Sequence, residues 1–356
     1  MSACILVDQH DITQLQMGTQ TVRDLQQGEV RLTLQSFALT ANNVTYAATG
    51  KFLKYWEFFP SGVEGKGIVP VWGTAVVSES LSEALKVGQA VYGFLPMGAE
   101  LVIHPKQVSA RVFADETAHR KGLPGVYNRY IALPNVRENN EDFLRALLQP
   151  LIATSYLLFD WLLDNDCFGA TQIVVGSASS KTGLGLCKFL AEPEGRDYRI
   201  VGLTSAGNLG FVTGLNACDQ VVTYDAVDTL EQVPTVYVDM AGDAEVKLRL
   251  HNHLGDNMKH SAAVGTSHWD KFAEPVPMPG AKPKFFFAPA QIAKRREEWG
   301  PGVIEGRIEA ATLRIAAESG DWLTLKVHQG LAAVPAIYAD LAQGRAVPDE
   351  GHVFQL

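Results

Sequence analysis

Residues 173–190 read IVVGSASSKTGLGLCKFL, and their order decides the fold. Three apolar β-type residues, Ile173, Val174 and Val175, run into the small-residue stretch from Gly176 to Ser180. An amphipathic helix is predicted from near Thr182, with Leu186 and Leu190 one turn apart. Strand, small-residue turn and helix N-terminus make a phosphate site. Unpaired backbone N–H groups and the positive end of the helix dipole converge there. Small side chains let a pyrophosphate approach the backbone. The stretch is not a full GxGxxG. A P-loop would need glycine at Ser180, and an SxxK nucleophile would need serine at Ala178.

Around this stretch, strand and helix patterns alternate. Strands are predicted at 172–175, 199–204, 221–223, 235–239, 261–265 and 284–287, with helices between most of them. That order means a parallel sheet covered on both faces, which binds ligands at the carboxyl ends of its strands. A helix is predicted over 151–163, another over 303–319 with Gly320 as C-cap, a strand over 322–327 and a last helix over 335–343. Residues 275–284 hold four prolines and read as a loop. Before Pro150 the chain is rich in short β-type runs, at 30–37, 67–78, 90–94 and 100–104, set between Gly and Pro turns. The fold class is therefore α/β. A Rossmann-type parallel sheet domain, residues 150–319, is inserted in a β-rich domain made of residues 1–149 plus 320–356.

The chain has 356 residues, enough for two full cores, with 47% hydrophobic and 19% charged residues. Its net charge of −9 disfavours nucleic acid or an anionic membrane as partner. No continuous apolar run is long enough to span a bilayer, and the N-terminus lacks a signal-peptide pattern. Cys4, Cys167, Cys187 and Cys218 are scattered, which reads as a reduced, cytoplasmic protein. No Cys/His/acid pattern, including His251 and His253, completes a metal site, so no metal is expected. A hydrolase is disfavoured by the absence of GxSxG.

Several segments, in this order, resemble the medium-chain dehydrogenase/reductases, and most of all their zinc-free, quinone-oxidoreductase-like branch. They are LTANNVTYAATG (39–50), LKVGQAVYGFLP (85–96), QPLIATSYLLFDWL (149–162), the 173–185 turn, LNACDQVVTYD (215–225) and VHQGLAAVPAIYADLAQGRA (327–346). The resemblance implies that the first domain is GroES-like and catalytic. Against the family pattern, Ser180 and Lys181 replace two turn glycines, and 122–130 and 275–284 stand as insertions.

Candidate site residues follow. Ser179, Ser180, Lys181, Thr182 and Gly183 are expected around a pyrophosphate, with Lys181 adding a charge and Gly183 allowing close packing. After the second strand stand Thr204, Ser205 and Asn208, with no acid. An acid there would favour NAD, so its absence favours NADP(H). The resemblance places Tyr224 on the adenosine side. It also places Asn42, Thr154, Gly242, Gly265 and Phe287 near a nicotinamide, and Thr266 follows Gly265 at a strand end. Tyr46 is the best acid candidate, since a phenol can protonate or polarise a carbonyl. A core tyrosine with a satisfied hydroxyl is the competing reading. Tyr55, Trp56, Phe58 and Phe59 either wall an apolar substrate pocket or form a lid or dimer contact. The function expected is zinc-independent hydride transfer from NADPH to a small-molecule carbonyl, enone or quinone. The alternative is a catalytically weak NADP(H)-binding redox sensor or scaffold. A homodimer is expected through the Phe-rich edge at 284–288.

Overall fold

The structure, a computed structural model, describes residues 1–134, 139–265 and 277–356. The chain divides into two compact units. One comprises Met1–Leu147, Thr324–Ala346 and Glu350–Leu356, the other Leu148–Leu323 and Val347–Asp349.

The first unit begins with strands β1 (Ser2–Asp8), β2 (Leu15–Gln20) and β3 (Val30–Leu39), then helix α1 (Ala41–Ala48). Strands β4 (Lys66–Gly67), β5 (Pro70–Ser80), β6 (Ala90–Pro96), β7 (Glu100–Ile103), β8 (Pro105–Gln107), β9 (Val112–Asp115) and β10 (Arg129–Leu133) follow. In β3 the apolar members of the alternation, Val30, Leu32 and Leu34, are buried as their period of two requires. Arg31, between them, is also buried, with Nε donating to Glu79 at 3.0 Å and a second nitrogen donating to the Arg23 carbonyl at 2.7 Å. The run expected at 67–78 is two strands, because β4 leaves to pair with β1 and β5 pairs with β3 and β6.

Helix α2 (Asn140–Asp164) starts eleven residues before the position expected for it. Asn139 Oδ1 accepts from the Glu141 and Asp142 amides and caps the start, so Pro150 lies inside the helix rather than at its beginning. By length and composition α2 could cross a membrane, although charged and polar residues interrupt its apolar stretch. More than half of its apolar window is buried within the protein. Its Asp160 is held by Gln291 and Arg295, at 2.6 and 2.7 Å.

The second unit carries β11 (Gln172–Val175), α3 (Lys181–Ala191), β12 (Arg199–Thr204), α4 (Leu209–Gly214), β13 (Gln220–Thr223) and β14 (Thr235–Asp239). Then come α5 (Ala244–Leu254), β15 (Met258–Ala263), β16 (Pro283–Phe285), α6 (Ala288–Trp299) and α7 (Val303–Ala317). The six strands are parallel in the order β13-β12-β11-β14-β15-β16. That order reverses between β11 and β14, the crevice position of a doubly wound sheet. Helix α7 is capped by Glu318 and not by Gly320. Glu318 stays right-handed, and Gly320 falls in the following short turn. The chain then returns to the first unit as β17 (Thr324–Gln329), α8 (Val334–Ala342) and β18 (Glu350–Gln355), with β18 pairing antiparallel to β3.

His251 of α5 is fully buried. Its Nδ1 donates to the Pro279 carbonyl at 2.9 Å, so Nε2 is the acceptor for the Ser261 hydroxyl at 3.1 Å. Burial lowers the pKa of His251 and of His260, which is also buried. The unfolded chain therefore binds protons that the native state refuses. Stability is full above the ordinary histidine range, roughly pH 6.5, and falls as pH drops through it. Urea midpoints measured from neutral pH down to mildly acidic pH are expected to decline. A His251→Gln chain is expected to be less stable at neutral pH and to decline less steeply.

Candidate functional site

Five residues shape the turn after β11. Gly176 N–H continues the ladder to the Val238 carbonyl at 2.8 Å. Ser177 takes a left-handed conformation, φ 52°, which is uncommon for a residue with a Cβ. Ala178 N–H donates to the Leu203 carbonyl at 2.9 Å and ties the turn to the end of β12. Ser180 closes the turn, donating its amide to Ser177 O at 2.8 Å and capping α3 with its hydroxyl on Gly183 N–H at 3.0 Å. A Cβ on Gly183 would stand 2.4 Å from Ser177 O, so only glycine allows α3 to start this close to the turn. Gly183 thus packs on the turn itself rather than on a strand.

Helix α3 is seated on α2. A Cβ on Gly185 would meet Ser155 Oγ and Ile152, and Ser155 donates to the Thr182 carbonyl at 2.7 Å. Thr154, beside it and half-buried, turns its hydroxyl to the Pro150 carbonyl at 3.0 Å. Lys181 reaches the Pro348 carbonyl at 3.3 Å, so its ammonium is anchored to the chain as well as standing at the first turn of α3. Ser179 is buried and accepts from Asn208 Nδ2 at 3.2 Å, joining the turn to the segment after β12. Ser205, three residues earlier, is exposed.

The remaining expected residues of this unit lie beyond the carboxyl ends of successive strands. Tyr224 follows β13, and its phenol is hydrogen-bonded to Ser177. Gly242 follows β14 with φ 77°. Gly265 follows β15, where a Cβ would stand 2.1 Å from Met240 O. Phe287 follows β16 at the start of α6, about one-third exposed. Read across the sheet, the order is Tyr224, Ser205 with Asn208, the 176–183 turn, Gly242, Gly265 and Phe287. Thr266 lies outside the described residues.

A carboxylate overlooked in the sequence organises this edge. Asp239, fully buried at the end of β14, accepts from the Ala241 and Gly242 amides at 3.2 and 2.8 Å and pairs with Lys247 at 3.4 Å. Tyr237 also donates to it, and burial together with that carboxylate pushes the phenol pKa well up. The available signal was an acid at the last position of an otherwise apolar buried strand.

Asn42 and Tyr46 stand one turn apart on α1, in the other unit. Thr40 caps α1 in a reciprocal box with Asn43, whose side chain also donates to the Pro70 carbonyl, so Asn43 is structural and Asn42 is left at the surface of the helix. The Tyr46 oxygen accepts from Trp72 Nε1 at 3.1 Å. Burial raises its pKa, so the phenol keeps its proton. Its ring packs on Tyr55, Phe94 and Tyr127, with centroids 4.5, 5.4 and 6.4 Å away. Tyr55, Trp56, Phe58 and Phe59 are all buried in this unit. Tyr127 lies in the 122–130 segment, and its hydroxyl pairs with that of Tyr55 at 2.9 Å.

The whole chain is similar in fold to solved oxidoreductases. CurA of Vibrio vulnificus, solved in complex with NADPH, is 13% identical with a TM-score of 0.64, over 99% of this chain and 98% of that one. YhdH of E. coli K-12, solved with bound NADPH, is 14% identical with a TM-score of 0.55, over 99% of each chain. A mutant form of the enoyl thioester reductase of Candida tropicalis is 13% identical with a TM-score of 0.59, over 100% of each. At such identities the likeness is one of fold alone. No curated protein matches the chain in sequence. Residues 37–347 match the family described as Protein of unknown function (DUF2855), and with that match over most of its length the chain belongs to this family.

Proposed function

We propose that the chain is a zinc-independent oxidoreductase of the quinone-oxidoreductase-like kind, passing hydride from NADPH to a carbonyl, enone or quinone. The observation that carries this reading is the tight 176–183 turn at the strand-order reversal, with Thr204 and Ser205 where an acid would select NAD. The NADPH in CurA and YhdH supports it. In this reading residues 150–319 are the dinucleotide domain. Ser179, Ser180, Thr182 and Gly183 hold the pyrophosphate, with Lys181 close by. Ser205 and Asn208 take the ribose 2′-phosphate, Tyr224 the adenosine side, and Thr154, Gly242, Gly265, Thr266 and Phe287 the nicotinamide. Bound there, NADPH supplies the hydride. Among the described residues, no group of three or more His, Cys, Asp or Glu is arranged to hold a metal. The four cysteines are free, in keeping with a cytoplasmic location.

Tyr46 is the proton donor in this reading. With its oxygen already accepting from Trp72, its own hydrogen is left for another group, such as a substrate carbonyl. A homodimer through β16 completes the reading. That strand is the edge of the sheet, and Phe285 is about half exposed on it.

Three measurements test these assignments. Titration of NADPH and NADH is expected to show NADPH tighter. Ser205→Asp is expected to weaken NADPH by roughly tenfold or more, through like-charge repulsion, and to spare NADH. Equal affinities in the unaltered chain would overturn the preference. NADPH oxidation across enones, quinones and aldehydes is expected for at least one class, and Tyr46→Phe is expected to cut it about 10²-fold or more with cofactor affinity unchanged. Tight binding with no turnover anywhere on the panel would favour the sensor reading. Light scattering at micromolar concentration is expected to give twice the chain mass, and a clean monomer refutes the dimer.

A further inference from the structure

The aromatic segment after α1 and the stretch leading into the 122–130 segment meet at a cavity of about 330 Å³, inside the first unit and built without any residue of the 176–183 turn. Phe58, Phe59, Pro60 and Pro96 give it apolar walls, and His119, Arg120, Arg23 and Arg31 also line it. Arg120 fastens the two segments together. Fully buried, it donates to Asp115 at 2.8 Å, to the Tyr130 hydroxyl at 2.9 Å and to the Tyr127 carbonyl at 3.1 Å, and it lies over the Phe58 and Phe59 rings. His119 is held to the Phe58 carbonyl at 3.2 Å.

Each arginine of the lining already has its carboxylate. Glu29 holds Arg23 through two bonds of 2.7 Å, Glu79 holds Arg31 at 3.0 Å and Asp115 holds Arg120 at 2.8 Å. The remaining lining charge is Glu100, on β7 opposite Thr33 of β3. One of its carboxylate oxygens is buried without a hydrogen-bond partner, and among the described residues it forms no ion pair. With three cations matched by three acids, the lining keeps one uncompensated negative charge against apolar walls. Glu100 is half-buried, and its one inaccessible oxygen lacks a donor that a cationic group in the cavity would supply.

We propose that this cavity is a binding site for a small organic monocation with an apolar body, whose ammonium or amidinium group donates to Glu100 while its body lies against Phe58, Phe59 and the prolines. The site is separate from the proposed dinucleotide site, so its test needs neither cofactor nor turnover. The probe is benzylamine, an ammonium at neutral pH, titrated calorimetrically against the full chain without cofactor. Benzyl alcohol and benzoate serve as the neutral and anionic counterparts.

Saturable benzylamine binding in the millimolar range or tighter is expected. Benzyl alcohol is expected to bind roughly tenfold or more weakly, with no binding of benzoate. Glu100→Gln, confirmed folded by circular dichroism, is expected to lose about tenfold for benzylamine only. The proposal is overturned by absence of saturable benzylamine binding, by equal affinity for the amine and the alcohol, or by unchanged affinity in Glu100→Gln. Should Glu100→Gln not fold, the three-probe comparison on the unaltered chain decides the matter alone.

Discussion

The approach of Gly183 to the Ser177 carbonyl is the constraint on which the second unit is built. A methyl group at position 183 would lie 2.4 Å from that oxygen. Without it, α3 starts directly against the turn, and the turn can be tied on one side to Val238 and on the other to Leu203. Two further glycines extend the same economy of space. Gly202 brings β12 against Ala178, and Gly185 lets α3 settle on Ile152 and Ser155 of α2. Strand, turn and two helices are thereby fixed by backbone contact and little side-chain bulk. The phosphate role proposed for the turn would need this, since backbone amides would be the donors and their aim depends on the backbone.

The parallel sheet was legible because its strands are covered on both faces. Such strands write themselves as short apolar runs. Ile173, Val174 and Val175, and likewise Val236, Tyr237 and Val238, are all essentially inaccessible to solvent. The turn was legible through its small residues. Boundaries were less so where the pattern carried two meanings. Pro150 read as a helix start because proline favours the first turn, yet the residues before it are helical in their own right and Asn139 supplies the cap. Glycine at 320 read as a terminator, but Glu318 ends the helix without a left-handed residue.

The site was legible as an edge and not as a network. A sequence can say that Ser205, Gly242 and Gly265 end strands, and a parallel sheet then brings strand ends to one side. It cannot say that Ser179 and Asn208 would bond to each other, or that Asp239 would collect two amides, a phenol and an ammonium. These contacts are long-range and set by tertiary packing. The aromatic segment shows the same limit. Phe58 and Phe59 were recognisable as apolar, but their partner Arg120 lies about sixty residues on, and nothing local in either stretch announces the other.

Helix α2 carries a kinetic implication. Its buried Asp160 finds its guanidinium in Arg295, 135 positions later in the chain. Until residues 288–299 have been synthesised, this 25-residue apolar helix has no counter-charge for that carboxylate and part of its greasy surface stands open. Contacts so distant in sequence are slow to form, and intermediates that wait for them are prone to aggregate. During translation the nascent chain is thus most dependent on chaperone cover between the emergence of α2 and that of α6. Truncations ending inside that interval will be insoluble for reasons unrelated to the site they remove.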